Sequence, residues 1–428
     1  MVASKDIFQK LNQTHPILRT VFEKYWTTPL QEFASHLYQK KPVSIETELL
    51  DSIAEELSSM GIKKELIEPV IHQLTQTPVL QTAHHITPTN GPTFLTINII
   101  SLAGLKIDQP YLVAANSGVA FSNSAWTGAL SYNDLNIEQF FPVTSKAYRN
   151  AIKSSEERAQ HGKTEKRISL IPSKQRDQLV FNTALTEYQQ NRYQQFTPDV
   201  KTRVSPLDLN QPFSHWAMQS CRKIEEKILG RNIMIFDINR VICRYLVKVL
   251  SKGKEHPVHQ LFFHPERSNG ILDTFQHPSL FLTSYKGKKS YKVEPLYWKS
   301  AGIEGEKTGH KKINPQDLIE SLSKFEFCPG LFLTFFALRF LNGIRCLGSF
   351  NQIEYLEDYR EKWSALNLDW PLDLKSDPMN SLTTGRLMID GKFLWPLDLA
   401  MKGQTLDLQM FANLPMHSFW EPIARKLI

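Results

Sequence analysis

The stretch from Pro78 to Ala115 limits the possible folds of this chain more than any other. Pro78-Val-Leu-Gln-Thr-Ala83 is a short apolar run that reads as a buried strand, and the loop His84-His85-Ile86-Thr87-Pro88-Thr89-Asn90-Gly91 follows it. Pro92 suits the first position of a helix, because the N–H that proline lacks would have no partner there. Phe94, Leu95, Ile99, Leu102 and Leu105 give that helix an apolar face. Tyr111-Leu-Val-Ala-Ala115 is the next strand, closed by Asn116-Ser117-Gly118. Strand, helix and strand within about thirty-five residues form a βαβ unit. Its strands are expected to be parallel, with a right-handed crossover.

The expected fold class is therefore α/β, a Rossmann-like parallel sheet with a helical N-terminal segment and connecting insertions. Residues 1–75 carry apolar residues at helical spacing: Ile17, Leu18, Val21 and Phe22, then Leu49, Leu50, Ile53 and Leu57. Residues 76–145 form the first half of the core, and 146–210, polar and broken by Pro172, Pro198 and Pro206, an insertion. The core resumes over 211–264, with a helix at His215–Gly230, a strand at Ile233–Asp237 and a helix at Val241–Leu250; Leu261-Phe-Phe263 reads as a further strand. Residues 265–313 are a basic, turn-rich insertion with a hairpin near Lys286-Gly287. Residues 314–428 supply the second half of the core. There Leu318–Phe325 and Pro329–Phe340 read as helices, Ile344–Leu347 as a strand, and Gly348-Ser349 as the turn into another helix. Beyond about residue 366 the chain is expected to wrap back onto the sheet, with no long coiled-coil arm.

Composition removes whole classes. Of 428 residues, 41% are hydrophobic and 22% charged, which excludes a disordered or fibrous chain. The formal charge of +7 is small for this length, and its densest run is Lys286, Lys288, Lys289 and Lys292. Solvated loop is the favoured reading of that run, and contact with a nucleotide phosphate the weaker one, so a nucleic-acid partner is not expected. Cys221, Cys243, Cys328 and Cys346 are scattered and read as buried free thiols of a reducing compartment. The N-terminus lacks the apolar core of a signal peptide, and the greasiest stretch, 329–344, is interrupted by Arg339 and Asn342 and too short to span a bilayer. A cytoplasmic protein without a membrane partner is expected. GxGxxG, the P-loop, GxSxG and HExxH are all absent, and His256, His259 and His264 are too loosely spaced to favour a metal, so none is expected.

Two loops carry the candidate chemistry. Open α/β sheets bind ligands at the carboxyl ends of their strands, and a helix N-terminus there favours an anion. The first loop offers His84 and His85 as catalytic groups and Thr87, Thr89, Asn90, Gly91 and Thr93 as substrate contacts, joined by Asn116 and Ser117 after the next strand. The second offers Glu354 as a catalytic group with Gly348, Ser349, Gln352 and Tyr355. Each has a structural alternative: one buried and one solvated histidine in the first, and a glycine that merely permits a tight turn in the second.

These segments resemble a known family. Pro78-Val-Leu-Gln-Thr-Ala-His-His-Ile-Thr-Pro-Thr-Asn-Gly-Pro-Thr-Phe-Leu is similar to the Thr-Gly-Gln-Gln-x-Gly-x-Phe-Thr-Gly-Pro strand, loop and helix of the bacillithiol-biosynthesis cysteine-adding enzymes. Phe213–Asp237 resembles that family's helix, glycine and strand ending in aspartate. Phe327-Cys-Pro-Gly through Gly348-Ser-Phe-Asn-Gln-Ile-Glu-Tyr355 resembles its Pro-Asn-Val and Gly-Gly-Pro-Gly-Glu-Ile-Ala-Tyr motifs. The three segments occur in the family's order and cover about half the chain.

The resemblance implies a core akin to adenylate-forming nucleotidyltransferases and an enzyme that joins cysteine through an amide to glucosaminyl-malate. It places His84 and His85 where the family has paired Gln, and Thr89, Gly91 and Pro92 within its Thr-Gly-Pro; Gly348, Glu354 and Tyr355 match the second loop. Ala115-Asn116-Ser117-Gly118 stands where the family has Glu-Asp-His-Asp, and the family's dimerising coiled coil has no counterpart after residue 363. The function expected is a cysteine-ligase-like enzyme forming a C–N bond between an amino acid and a small-molecule amine or hydroxy-acid conjugate. ATP use and oligomeric state stay open. The alternatives are a non-catalytic small-molecule binder of the same fold and an RNA-associated protein using the basic insertions.

Overall fold

The computed structural model describes residues 2–123, 128–150, 152, 166–299 and 301–427. Five helices open the chain, Val2–Thr14, Pro16–Tyr25, Leu30–Leu37, Thr47–Ser59 and Lys64–Gln76. Each of the last four buries the residues that fall at helical spacing, such as Leu18, Val21 and Phe22, or Leu49, Ile53 and Leu57.

The centre is a four-stranded parallel sheet of β1 (Val79–Gln81), β2 (Tyr111–Ala115), β5 (Ile233–Asp237) and β11 (Arg345–Leu347), in the order β11-β1-β2-β5. β2 and β5 are paired along their whole length, from Tyr111 opposite Ile233 to Ala115 opposite Asp237. Their five-residue runs are buried on both faces, which explains why they are continuously apolar rather than alternating. The helix Pro92–Ala103 links β1 to β2 and is buried almost all round. Its end approaches the N-terminal helices so closely that a Cβ on Gly104 would lie 2.1 Å from Ala34 O, so only glycine fits.

After β2 in the chain, β3 (Ala129–Tyr132) and β4 (Lys166–Ser169) form a separate two-stranded antiparallel sheet. The basic insertion builds an antiparallel sheet of β6 (Ser279–Lys286), β7 (Tyr291–Trp298), β8 (Gly302–Gly305) and β9 (Gly309–Lys312), bordered by β10 (Cys328–Pro329). The C-terminal stretch returns to the central sheet: Gly348 forms a parallel bridge with Leu382, and Trp420 stacks on Phe22 at 4.7 Å between ring centroids. The architecture is thus the mixed α/β, Rossmann-like one, and no coiled-coil arm is evident among the described residues.

Two expected elements differ. Leu261-Phe-Phe263 is the end of the helix Pro257–Phe263, which His256 caps by accepting from Val258 N. Three apolar residues cannot distinguish strand from helix, and the cap with Pro257 at the first position decides it. The apolar run Pro329–Phe340 is not one helix. Pro329 closes β10, Leu331–Phe335 is a short α-helix, and Phe336–Leu341 widens into a π-turn that carries the chain to β11.

Candidate functional site

The sheet order sets where a site can form. β1, β2 and β5 follow one another in one direction across the sheet, and the chain then returns to lay β11 on the far side of β1. The loops after β1 and β11 thus flank a switch point at the carboxyl edge. Backbone bonds continue the rim on the other side: Asn116 N donates to His84 O at 2.8 Å and Ile86 N to Asn116 O at 3.1 Å. Ser117 Oγ then donates to Asp237 Oδ1 at 2.7 Å, at the end of β5.

Between β1 and β11 the switch-point crevice is filled by protein. Gln352 Nε2 donates to Thr82 Oγ1 at 2.8 Å and to Cys346 O at 3.2 Å. A Cβ on Gly348 would lie 2.1 Å from Gln352 Cδ, so glycine there admits the glutamine. Gly348 N donates to Ser381 O and Thr383 N to Gly348 O, at 2.7 and 3.0 Å. Ser349 caps the helix Phe350–Ala365 by accepting from Gln352 N. Tyr355 packs at a tilt against Phe335 and Tyr359, and burial pushes its phenol well up. An open cleft of about 490 Å³, lined by Val43, Asn342, Gly343 and Asp373, lies instead toward the amino end of β11.

Glu354 has a different partner from the one expected. Its Oε1 accepts from Leu18 N at 2.9 Å, which is in the first turn of the helix Pro16–Tyr25, whose own N-cap His15 makes no side-chain cap bond. The carboxylate therefore serves as a cap supplied from another helix, complementing the positive helix end.

The first loop is polar and closed. His84 is 2% exposed, stacks on Phe94 at 4.9 Å, and has no hydrogen-bond partner on either ring nitrogen. Burial, aided by the neighbouring His85, pushes its pKa down to about 3, with Asn98 opposing the shift. His85, half-buried, is lowered by burial against the opposing hydrogen bond of Asn123, and its Nδ1 has no partner among the described residues. Thr87 Oγ1 donates to Thr89 O at 2.8 Å, and Thr89 Oγ1 accepts from Ser131 N at 2.7 Å, which pins the loop to β3. Gly91 is the N-cap of the helix Pro92–Ala103, and Thr93 lies in its first turn. Asn116 Oδ1 accepts from Gly118 N at 2.7 Å and shapes the next turn. Lys286 ends β6, Lys288 and Lys289 lie in the hairpin turn and Lys292 is on β7; among the described residues none of the four forms an ion pair or hydrogen bond with the rim loops.

Four rim residues, Glu225, Asn98, Asp237 and Asn239, were not among the expected site residues, although Asp237 was read as the end of its strand. Glu225, wholly buried on the helix Phe213–Leu229, accepts from Asn90 Nδ2 at 2.7 Å and from Asn98 Nδ2. Asn98 Oδ1 in turn accepts from Tyr111 at 2.8 Å. With no cation beside it, burial raises Glu225 to about 7 against those two amide bonds. Asp237, also fully buried, is raised to about 6 by burial and by Glu56, and its Oδ2 has no partner. Asn239 accepts from Ser117 N at 2.8 Å and donates to Pro329 O at 2.8 Å, tying the rim to β10. The signal for Glu225 was a carboxylate inside the apolar stripe Cys221, Ile224 and Ile228.

Behind Asp237 stands a buried ionic cluster. Glu56 meets His215 Nε2 at 2.8 Å, Arg240 Nε at 3.2 Å and Arg244 Nε at 3.3 Å. Burial would raise the Glu56 carboxyl, but the His215 hydrogen bond and the charge of Arg240 hold it below its ordinary value. All four cysteines are buried and free, with thiols raised by burial. Among the described residues, no three His, Cys, Asp or Glu side chains gather where they could hold a metal, and no helix is long and apolar enough to cross a membrane. Neither protein-family models nor curated protein sequences match the chain.

Proposed function

We propose that the chain is a ligase-like enzyme of cytoplasmic thiol or amino-acid-conjugate biosynthesis that forms an amide between an amino acid and a small-molecule amine. The observation that carries this reading is a set of buried polar atoms along the carboxyl rim that have no partner among the described residues: both ring nitrogens of His84, Nδ1 of His85, Asn90 Oδ1 and Asp237 Oδ2. Buried polar groups in native proteins are nearly always satisfied, by protein, ordered water or a ligand, and a polar ligand is the partner this reading assigns to the set.

Amide formation requires an activated carboxyl carbon, an attacking amine and a place for the charge on the carbonyl oxygen. His84, with its pKa near 3, is neutral at pH 7, so one ring nitrogen carries a proton and can donate to that oxygen. It is too weak a base to take the amine's proton. Asp237, raised to about 6, is matched to that task, and Ser117 fixes its orientation. ATP is the co-substrate such a condensation would use: the carboxylate would be converted to an acyl phosphate or acyl adenylate, the amine nitrogen would attack its carbonyl carbon, and the C–O bond to phosphate or AMP would break as Asp237 takes the amine proton. The test is incubation with ATP, amino acids and amines, with mass-spectrometric detection of the conjugate; product formation abolished by Asp237→Asn supports the reading, and no product with any pair counts against it.

A second reading, a non-catalytic binder of the same small molecules, is favoured by one observation. The glutamate of the second loop is spent on capping the helix Pro16–Tyr25.

A further inference from the structure

The antiparallel sheet of the basic insertion has two unlike faces. One packs Phe281, Leu296 and Trp298 onto the helix Pro257–Phe263, with Phe262 4.8 Å from the Trp298 ring. Along β7 the side chains alternate, so Tyr291, Val293, Pro295 and Tyr297 lie on the other face, where Val293 meets the core and Pro295 and Tyr297 are exposed, while Lys292 and Lys311 fall on the Trp298 face. Lys286 stands opposite Tyr291; Tyr297, Glu304 and His310 form one cross-strand row, with Lys312 two residues beyond His310 on the same face. Tyr297 is 41% exposed, and every residue of β9 is exposed.

Charge is concentrated here. Residues 279–312 contain eight lysines and three glutamates, and no aspartate or arginine, in a chain whose net charge is only +7. Glu294 is turned inward, accepting from Lys307 N and from the backbone and side chain of Thr308. Glu304 pairs with Lys299 and Glu306 with Lys307. Among the described residues Lys286, Lys288, Lys289, Lys292, Lys311 and Lys312 form no ion pair.

We propose that this face binds single-stranded RNA, with Tyr297 as the stacking platform and Lys286, Lys288, Lys289 and Lys312 on the phosphates. Lysines that track a backbone, combined with an exposed aromatic ring on a sheet, are the pairing that sequence-tolerant single-strand binding uses. This surface is separate from the rim site and does not depend on its chemistry.

The test is fluorescence anisotropy of the full chain with a labelled oligouridylate of about 20 nucleotides, its duplex, and vesicles containing phosphatidylserine. Four phosphate contacts predict that affinity for the single strand falls about 50-fold between roughly 50 and 200 mM salt. The double variants K288E/K289E and K286E/K312E should each weaken binding at least about tenfold, and Tyr297→Ala should weaken it with the salt slope unchanged. All three variants lie on exposed positions, and unaltered heat unfolding would show that they fold. No binding at about 50 mM salt, equal affinity for the duplex, binding to vesicles alone, or folded variants that bind as well as wild type would each overturn the proposal.

Discussion

Asn90, in the loop that follows the first strand, donates to Glu225 at 2.7 Å, although the two residues are 135 positions apart. The bond ties the histidine loop to the helix Phe213–Leu229 through a carboxylate with no cation beside it. Glu225 is raised from an ordinary 4.5 to about 7, so between those values the folded state holds a proton that the unfolded state releases. Its effect on stability is therefore favourable at low pH and is lost as pH rises toward 7, by about 3 kcal/mol in all. Glu225→Gln should remove that pH dependence, gaining on wild type at pH 8 and losing at pH 5. Urea unfolding across this range checks it, and parallel curves for the two proteins would contradict it.

Glu56 has the opposite sign. Its carboxyl is held below its ordinary value by His215 and Arg240 in spite of burial, so its contribution is present above about pH 4.5 and fades as pH falls. Glu56→Gln leaves the Arg240 charge buried without its partner, and a loss of about 3–5 kcal/mol at pH 7 is expected by denaturant unfolding.

Glu354→Ala should lower stability by about 1 kcal/mol through loss of the cap at Leu18 N. Because that carboxylate is engaged away from the first loop, response to ligand is expected to persist. A variant of wild-type stability that no longer responds to ligand would restore Glu354 to the site.

The parallel core was legible because its strands are short, continuously apolar and punctuated, as at Asp237 and at Gly348. Gly91-Pro92 announced the crossover helix for a local reason, the proline at its first turn. Leu261-Phe-Phe263 misled because three apolar residues carry no period. The partners of Glu354 and Glu225 lie 336 and 135 residues away in sequence, and local pattern does not reach that far. His84 and His85 were found as a pair, but not that His84 would stack on Phe94 with its pKa pushed down to about 3, too far for a base, since depth of burial is a tertiary property.

Asp237→Asn keeps shape and leaves Ser117 Oγ an oxygen acceptor, so the fold should survive while turnover falls at least about a hundredfold, the usual scale of a general base. Comparison of turnover with heat unfolding separates the two effects; equal losses in both would mark Asp237 as structural.

The most direct measurement is heat unfolding of wild type and His84→Phe with amines, amino acids and hydroxy acids, each with and without ATP. Replacing a buried, unpartnered imidazole by an apolar ring should leave the bare protein at least as stable. Wild type should gain stability with one of the compounds, about 2.7 kcal/mol at a hundred times its Kd, and His84→Phe should not. An equal gain in both proteins, or none in wild type with any compound, would contradict a ligand site at the carboxyl rim.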